Sequence, residues 1–519
     1  MDKIKILWAD DEIDLLKPHV LFLEEKNYDV KTVNNGSDAY DAIMEDHFDM
    51  VFLDENMPGL SGLETLTKIK SQKPSLPIIM ITKSEEESIM DDAIGSKISD
   101  YLIKPVNPKQ ILLSLKKHLD HSRLVTEKTT SAYQAEFRNI GMELADRLDT
   151  REWMEMYKKL VYWELELEDS DDESMHEILN MQKSEAGNLF ARFVEDNYEH
   201  WLSGESDDIP LLSHNLIGKK IAPQLDSGDT PTFLIVIDNL RYDQWRILRP
   251  FFNKYFNIED EDLFYSILPT TTQYARNTLF SGLMPSEIKK KFPQYWVEDG
   301  DEGSKNQHEE ALLGEHLKRL GKQTKFTYNK ITNLRAGKRL NENVQNLMST
   351  PFNVIVYNFV DMLSHARTDM EVIRELADDE SAYRSLTESW FEHSPLFDIL
   401  KKIAEHKCNL YVATDHGSVY VDNPVKVVGD KQTNTNLRFK FGRNISFKEK
   451  EVYHPESPES VFLPRENVST EYIFAKGKDF FVYPNNYNHF MKYYRNTFQH
   501  GGISMEEVLI PFVSMKSKV

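Results

Sequence analysis

Short apolar runs recur along the first part of the chain and alternate with segments of helical periodicity. Three runs, residues 4–9, 49–53 and 77–81, have the length and composition of fully buried β-strands. Segments between them, such as residues 38–47, repeat apolar residues at the spacing of an amphipathic helix. This alternation predicts a parallel sheet covered on both faces, so we expect residues 1–120 to form a doubly wound α/β domain.

The hydrophobic pattern changes after residue 120 and again near residue 205. Glycine and proline nearly vanish from residues 121–205, where apolar residues recur at helical spacing, which predicts an α-helical bundle or linker domain. Buried-strand runs then return at residues 233–237, 352–357 and 409–413. We therefore expect a multidomain α/β protein with boundaries at 1–120, 121–205 and 206–519, the last being a larger α/β domain.

Composition narrows the classes of partner and compartment. The 62 basic and 85 acidic residues among 519 give a formal charge of −23, which disfavours binding to duplex DNA. No run approaches the length of about 18 apolar residues that a membrane span needs, and the first residues are too charged for a signal peptide. Cys408 is the single cysteine, so no intramolecular disulfide forms. These features predict a cytoplasmic protein that does not insert into a membrane.

Polar residues follow the apolar runs of the first domain at the points where strands would end. They are Asp10, Asp11, Asp54, Thr82 and Lys104. Because ligands of open α/β sheets bind at the carboxyl ends of the strands, we expect these side chains to converge. Clustered carboxylates favour Mg²⁺, and a carboxylate beside that ion and a lysine is suited to accept a phosphoryl group.

With these residues in this order, residues 1–120 resemble the receiver domain of two-component response regulators. The resemblance implies a five-stranded parallel sheet, Asp54 as the phosphoacceptor, and a sensor histidine kinase as partner. It also implies that Mg²⁺ is held by Asp10, Asp11 and the carbonyl of Asn56, that Thr82 and Tyr101 form the switch pair, and that Lys104 senses the phosphoryl group.

The last domain carries a second set of candidate metal ligands at strand ends. They are Asp238, Asp361, His365, Asp415, His416 and His500. Three carboxylates and three imidazoles suit Zn²⁺, and six ligands are too many for one tetrahedral catalytic ion with an open position. Two ions about 4 Å apart form the clamp used in phosphoryl transfer. A threonine of the loop that follows Pro269 would then supply the nucleophile.

The order Asp, Thr, Asp-x-x-x-His, Asp-His, His resembles the alkaline phosphatase superfamily. The threonine loop at 269–282 and the Ala-Thr-Asp-His-Gly sequence at 413–417 look like those of a PglZ domain, over roughly residues 210–519. The resemblance implies one zinc held by Asp238, a threonine, Asp415 and His416, and a second held by Asp361, His365 and His500.

Within the threonine loop, Thr271 is the preferred nucleophile and zinc ligand, and Thr272 is the next choice because a shift of one residue exchanges them. Arg276 and Asn277 are candidates to bind the substrate phosphate, and a structural role for Arg276 is the alternative.

A receiver, a helical connector and a PglZ domain in this order resemble the response regulators linked to type IX protein secretion and gliding. The resemblance implies a sigma factor as partner and phosphodiesterase activity on small oligonucleotides or cyclic dinucleotides. We also expect phosphorylation of Asp54 to control a homodimer. The residues alone support only a phosphate or sulfate ester. The alternative function is a phosphorylation-gated adaptor, with a structural zinc site, that binds a sigma factor or secretion component.

Overall fold

The computed structural model describes residues 4–73, 76–82, 98–115, 121–168, 173–225, 230–298, 301, 303–369, 379–430 and 433–519. The chain divides into two compact units, Met1–Gln134 and Ala135–Val519.

The first unit is built on a five-stranded sheet of parallel strands. The strands are β1 (Lys5–Ala9), β2 (Asp29–Val33), β3 (Met50–Asp54), β4 (Ile78–Thr82) and β5 (Asp100–Ile103). They lie in the order β2-β1-β3-β4-β5, which is the doubly wound order of flavodoxin-like folds. The described helices are α1 (Lys17–Glu25), α2 (Gly36–Glu45), α3 (Gly62–Gln72) and α4 (Pro108–Leu115).

Alternation along the strands explains why helices cover both faces of this sheet. Leu7 and Leu53 point into a core that includes Ile43 of α2 and Leu66 of α3. On the other face, residues such as Trp8 enter a second core with side chains of α1 and α4. The period of two along each strand therefore serves two hydrophobic layers, and the predicted fold of this domain is confirmed.

Helices dominate the chain from residue 121 to residue 203. They are α5 (His121–Ala145), α6 (Thr150–Leu167) and α7 (Glu173–Ser203). A capping box starts α6, because Asp149 accepts from the N–H of Glu152 and the Glu152 side chain accepts from the N–H of Asp149. The apolar face of α6 is buried, with Trp153 against Phe190 of α7 at a ring distance of 5.4 Å. The predicted helical middle region is confirmed.

The remainder of the second unit is an α/β domain. Its described helices are α8 (Ser213–Leu216), α9 (Tyr242–Asn253), α10 (Thr272–Ser281), α11 (Pro285–Lys291), α12 (Glu309–Arg319), α13 (Leu334–Leu347), α14 (Phe359–Asp369), α15 (Glu380–Glu392), α16 (Pro395–Ala404), α17 (Tyr487–Tyr494) and α18 (Met505–Val508). Its described strands are β6 (Thr232–Ile237), β7 (Phe256–Tyr265), β8 (Phe326–Ile331), β9 (Phe352–Tyr357), β10 (Asn409–Ala413), β11 (Val419–Val421), β12 (Asn423–Lys426), β13 (Phe439–Gly442), β14 (Val452–Tyr453), β15 (Glu471–Ala475), β16 (Asp479–Val482), β17 (Thr497–Gln499) and β18 (Leu509–Ser517).

A mixed six-stranded sheet in the order β7-β18-β10-β6-β9-β8 forms the centre of this domain. The strands β10, β6, β9 and β8 run parallel, and β18 runs antiparallel to both of its neighbours. The apolar runs predicted as strands at 233–237, 352–357 and 409–413 are thus adjacent central strands, and all their residues but Asn409 are buried. The predicted larger α/β domain is confirmed.

Candidate metal centres

The first centre lies at the carboxyl end of the sheet of the first unit. Asp10 follows β1, Asp54 ends β3, and both carboxylates are buried, whereas Asp11 is exposed. One oxygen from each of the three lies within 4.8 Å of the others. The Lys104 ammonium is 2.9 Å from Asp10 Oδ2 and 3.0 Å from Asp54 Oδ1. Four of the five residues that the sequence predicted to converge, Asp10, Asp11, Asp54 and Lys104, therefore lie close together.

Burial determines the electrostatics of this cluster. The pKa of Asp54 is raised to about 6, because burial and the neighbouring Asp10 carboxylate together outweigh the lowering by the hydrogen bond from Lys104. A divalent cation would relieve the repulsion among the three carboxylates, and oxygen ligands with an exposed side are what Mg²⁺ favours. The donor set thus fits Mg²⁺.

The other residues predicted for this centre lie on neighbouring strands or in the loop that follows β3. Asn56 is exposed, two residues beyond Asp54. Thr82 ends β4, the strand that pairs with β3 through Asp54 and Ile81. Tyr101 lies on β5 and is 40% exposed. The Lys104–Pro105 peptide is cis.

The second centre lies where three neighbouring parallel strands of the large sheet end. Asp238 directly follows β6, the middle strand of the three. Asp415 and His416 come two and three residues after β10, and the first turns of α14, after β9, carry Asp361 and His365. Parallel strands bring their carboxyl ends to one edge, so residues far apart in sequence become neighbours.

All six predicted ligands belong to two groups at this edge. Asp238, Asp415 and His416 form one group, and Asp361, His365 and His500 form the other, with the ligand atoms of each group within 4.8 Å of one another. The two groups are contiguous, because the rings of His416 and His500 stack with centroids 4.4 Å apart.

The first group is fully buried, and its charges are strongly perturbed. Burial raises the pKa of Asp415 to about 6, and the nearby Asp238 carboxylate adds to this shift. Burial also acts to raise the pKa of Asp238, but the positive charges of Arg276 and His416 outweigh it and the pKa is lowered. Asp415 Oδ2 accepts no hydrogen bond from any described residue. A buried oxygen of this kind is suited to bind a cation.

The second group is more open to solvent. The His365 side chain is 63% exposed and its Nε2 lies 3.5 Å from Asp361 Oδ1. His500 Nε2 lies 3.7 Å from the same oxygen. Burial raises the pKa of Asp361, with Asp238 contributing, and burial lowers the pKa of His500 well below its usual range. A neutral imidazole is the form that binds a metal.

Backbone carbonyls orient two of the imidazoles. The Nδ1–H of His416 donates to the carbonyl of Gly417 at 3.0 Å, and that of His500 donates to the carbonyl of Thr270 at 3.2 Å. In both residues Nε2 is left to face the carboxylates. Hydrogen bonds of this kind select the ligating tautomer in metal sites.

The threonine loop reverses the preference for Thr271 over Thr272. The Thr272 hydroxyl donates to Asp238 Oδ1 at 3.3 Å and lies 3.1 Å from His416 Nε2. Thr271 is the N-cap of α10, and its buried hydroxyl contacts no hydrogen-bonding partner among the described residues. Thr272 is the first residue of the helix, and in this position its hydroxyl faces Asp238 and His416.

The side chains of Arg276 and Asn277 are buried and bind protein groups. The Arg276 guanidinium is 1% exposed and pairs with Asp238 Oδ2 at 2.6 Å and Glu309 Oε1 at 2.5 Å. The Asn277 amide donates to the carbonyls of Gln273 and Lys305. Arg276 is therefore a structural residue behind Asp238, which was the alternative interpretation of its sequence position.

Two further residues of the site were not predicted. Asn239 has a φ of 63°, and it donates through its backbone N–H to Asp415 Oδ1 and through its side chain to Asp361 Oδ1, so it joins the two groups. Glu309 is buried and holds Arg276. A positive φ is common for Asn, and the Asp-Asn sequence after β6 was the available signal for Asn239. Glu309 gave no comparable signal.

Three family models match the chain one after another. The response regulator receiver domain matches residues 6–116, the PorX response regulator linker domain matches residues 123–202, and the BREX system PglZ alkaline phosphatase-like domain matches residues 216–515. This is a PorX-like architecture. Receiver and alkaline phosphatase-like domains generally bind metals, and a receiver domain implies a cognate histidine kinase.

Individual relatives are similar to the N-terminal part of the chain. The transcriptional regulatory protein SrrA of Staphylococcus aureus strain NCTC 8325 is 27% identical over 167 residues, or 30% of this chain and 69% of SrrA. A CheY-like receiver domain from Methanospirillum hungatei JF-1 is 26% identical over 23% of this chain and 95% of its own, with a TM-score of 0.23. The chemotaxis protein CheY4 of Vibrio cholerae is 27% identical over 22% of this chain and 99% of its own, with a TM-score of 0.22.

No helix in the described ranges is long and apolar enough to cross a bilayer.

The PglZ model spans more than half of the chain, and its match includes all six ligand candidates and the threonine loop. The chain therefore belongs to the PglZ alkaline phosphatase-like family of phosphoesterase-type domains, with a response regulator receiver domain and a PorX-type linker in front.

Proposed function

We propose that this chain is a two-component response regulator that carries a zinc-dependent phosphodiesterase for small oligonucleotides. One observation supports the enzymatic part above all others. Two contiguous groups of three ligands meet at one sheet edge, and the Thr272 hydroxyl lies against one of them. This is the arrangement that a two-metal phosphoryl-transfer site needs.

The six side chains would hold two zinc ions. Asp238, Asp415 and His416 would hold one, and Asp361, His365 and His500 would hold the other. When bound, the pair of ions supplies Lewis acidity toward the phosphate oxygens and lowers the pKa of coordinated hydroxyl groups. Mixed oxygen and nitrogen ligands, three to an ion, leave open positions for this chemistry.

Residues of the chain supply the nucleophile and hold the metal ligands in position. Thr272 Oγ1 is the nucleophile: it forms a bond to phosphorus as the ester oxygen departs, and water later cleaves the phosphothreonine ester. Asp238 Oδ1 accepts the hydroxyl hydrogen bond at 3.3 Å, and Arg276 holds the other oxygen of that carboxylate. Asn239 keeps Asp415 and Asp361 in place from between the groups.

In the receiver, Asp54 would accept the phosphoryl group. Asp10, Asp11 and the carbonyl of Asn56 would hold Mg²⁺, Lys104 would bind the phosphoryl oxygen, and Thr82 with Tyr101 would carry the switch. A PorY-like sensor histidine kinase would be the donor. The biological setting would be the cytoplasm, with a sigma factor as partner, in control of type IX secretion and gliding. The three domains would keep the boundaries 1–120, 121–205 and 206–519.

The rival function, an adaptor with a structural zinc site, requires a closed site filled by protein ligands. The side chain of His365 is 63% exposed, and that of Asp361 is 16% exposed. The second group is open to solvent and lies next to a first group that contacts a threonine hydroxyl, and this arrangement favours the enzyme.

Metal content and turnover together test this proposal. The purified full chain is expected to contain two zinc ions and to hydrolyse a chromogenic phosphodiester faster than a phosphomonoester or a sulfate ester. Removal of zinc with a chelator should abolish turnover, and added zinc should restore it. A chain with two bound zinc ions and no turnover of any ester would instead identify the adaptor.

Control by the receiver is tested with a small phosphodonor. Phosphorylation of the wild-type chain should change both its oligomeric state and its turnover, whereas Asp54→Ala should not respond. Equal responses of the two proteins would exclude control through Asp54.

A further inference from the structure

Helix α17 has an aromatic composition that packing alone does not explain. Its eight residues, Tyr-Asn-His-Phe-Met-Lys-Tyr-Tyr, include no fully buried side chain. Tyr487 and Tyr494 pack against a small apolar cluster of β11 and β16 and attach the helix to the domain. His489, Phe490 and Lys492 are exposed, and Phe490 is 36% exposed. The helix thus presents rings to solvent beside a cation.

The rings on this helix are ordered in stacked pairs. His489 lies over Tyr493 at 6.3 Å with an interplanar angle of 21°, and Phe490 lies over Tyr494 at 6.1 Å and 14°. Both pairs are four residues apart, the spacing that aligns side chains on one helix face. His489 and Phe490 also meet edge to face at 5.2 Å. Rings held in this way present flat apolar surfaces at little entropic cost.

The charge of this region differs from that of the rest of the chain. Residues 480–505 contain no Asp or Glu, whereas the whole chain contains 85 among 519 residues. The same segment contains Lys492 and Arg495, both exposed, and the Nε–H of Arg495 donates to the carbonyl of Asp422 at 2.9 Å. A local basic segment on an acidic molecule attracts an anionic chain to one place.

The path of the backbone connects α17 to the zinc ligands. β11 begins three residues after His416, β17 ends one residue before His500, and these two strands pair with each other. Tyr494 precedes His500 by six residues, so their Cα atoms are at most about 20 Å apart. The helix therefore lies within a few nucleotide lengths of the second centre.

We propose that α17 is a stacking platform for the bases of a single-stranded oligonucleotide substrate, with Phe490 and His489 under the bases and Lys492 beside the backbone. The inference rests on the proposed function and specifies how its substrate is held. Aromatic faces interleaved with cations are the general means of binding single strands without reading their sequence.

Binding is measured separately from hydrolysis, so that failure of the platform and failure of the enzyme give different results. A fluorescent single-stranded octanucleotide is titrated into the full chain carrying Thr272→Val, which prevents turnover. Adding Phe490→Ala should weaken binding by about ten- to a hundred-fold. Adding Lys492→Gln should lower the slope of log K against log salt by about 0.7. Tyr162→Ala, an exposed aromatic on α6 with 42% exposure, is the matched control and should leave binding unchanged.

Kinetics in the chain with Thr272 intact provide the second readout. Phe490→Ala should lower the ratio of kcat/KM for the octanucleotide to that for a small chromogenic phosphodiester by about tenfold or more, through KM. Unchanged octanucleotide binding in Phe490→Ala would overturn the platform, and so would the absence of any binding to the parent chain. If neither ester is hydrolysed but binding falls in Phe490→Ala, the proposed enzyme fails and the platform stands.

Discussion

At the start of α10, a shift of one residue decides which hydroxyl reaches the candidate metal ligands. Thr271 is in extended conformation as the N-cap, and Thr272 is the first residue of the helix. The Thr272 hydroxyl is 3.1 Å from His416 Nε2, and the Thr271 hydroxyl is buried without a described partner. Two neighbouring threonines thus occupy different places, one against the candidate metal ligands and one at the helix cap.

Valine at each position separates these roles, because it keeps the shape of threonine and removes the hydroxyl. Thr272→Val should lower kcat for a phosphodiester by about a thousand-fold or more, as loss of a nucleophile does. Its zinc content should stay at the wild-type value, since six other ligands remain. The measurement is steady-state turnover together with metal analysis.

Thr271→Val is the matched control and should keep turnover within a few-fold of wild type. Loss of activity in Thr271→Val with full activity in Thr272→Val would restore the original preference from the sequence.

The candidate ligands named from the sequence share one feature, which is their position after a buried strand. Asp238 and Asp415 follow apolar runs, and the ends of buried parallel strands are where ligands collect. Arg276 was harder to interpret, because its partner Glu309 is 33 residues away and nothing local shows that the two meet. A sequence therefore shows which residues stand at strand ends, and tertiary packing decides which of them face each other.

At the scale of elements, α10 positions Thr272 and is fixed at its other end by a glycine. Gly282 is the C-cap, with a φ of 62°, and a Cβ built there would lie 2.2 Å from His316 Nε2. The His316 ring has little room to move, since its Nδ1–H donates to the carbonyl of Phe280 at 3.0 Å. Glycine is thus required here for both conformation and space.

Alanine at Gly282 tests this requirement. The left-handed conformation costs about 1–2 kcal/mol for a residue with a Cβ, and the clash adds about 1–3 kcal/mol. Gly321 is the matched control, with a φ of 72° and no atom within 4 Å of its built Cβ. Urea denaturation should show a larger loss of the free energy of unfolding for Gly282→Ala than for Gly321→Ala. Equal losses would show that the ring of His316 moves to accommodate the added Cβ.

The pattern of apolar residues predicted the central strands of the large sheet, but it did not predict their order in the sheet. The runs that became β6, β9 and β10 were visible because fully buried strands are apolar throughout. The insertion of β18 between β10 and β7 was not visible. The order of strands depends on which strands pair after many intervening residues, and no local pattern of apolar residues predicts that pairing.

At the scale of the whole molecule, the helical segment from residue 135 onward and the α/β domain share one compact unit. Buried ion pairs join them: Lys183 of α7 to Glu380 of α15 at 3.4 Å, and Glu164 of α6 to Arg384 of α15 at 2.8 Å. The hydroxyl of Tyr198 on α7 accepts from the N–H of Leu268, directly before the threonine loop. The helices are thus in direct contact with the segment that leads to Thr272, which is a physical route for control of the site.

Acid stability of the second unit depends in part on two histidines, of which His316 is buried and His214 is partly buried. Burial lowers the pKa of His316 and that of His214 to about 4, from an ordinary value of 6.5. In the unfolded chain these rings take up a proton below about pH 6.5, whereas in the folded chain they stay neutral until about pH 4. Stability is therefore fully present above pH 6.5 and is lost as the pH falls toward 4, by roughly 3 kcal/mol for each ring.

His316→Gln removes one of these titrations and keeps an N–H that can donate to the carbonyl of Phe280. Urea denaturation between pH 7.5 and pH 4.5 should therefore show a smaller acid-induced loss of unfolding free energy in His316→Gln than in wild type. The exposed His406 serves as the control, because His406→Gln removes an imidazole at the surface of α16's C-terminal turn without changing the interior. Release of the proposed zinc ions at low pH would affect all three proteins alike and would cancel in the difference. A wild-type acid response in His316→Gln would show that the ring is protonated in the folded chain, and that the space beside Gly282 admits a charged imidazole.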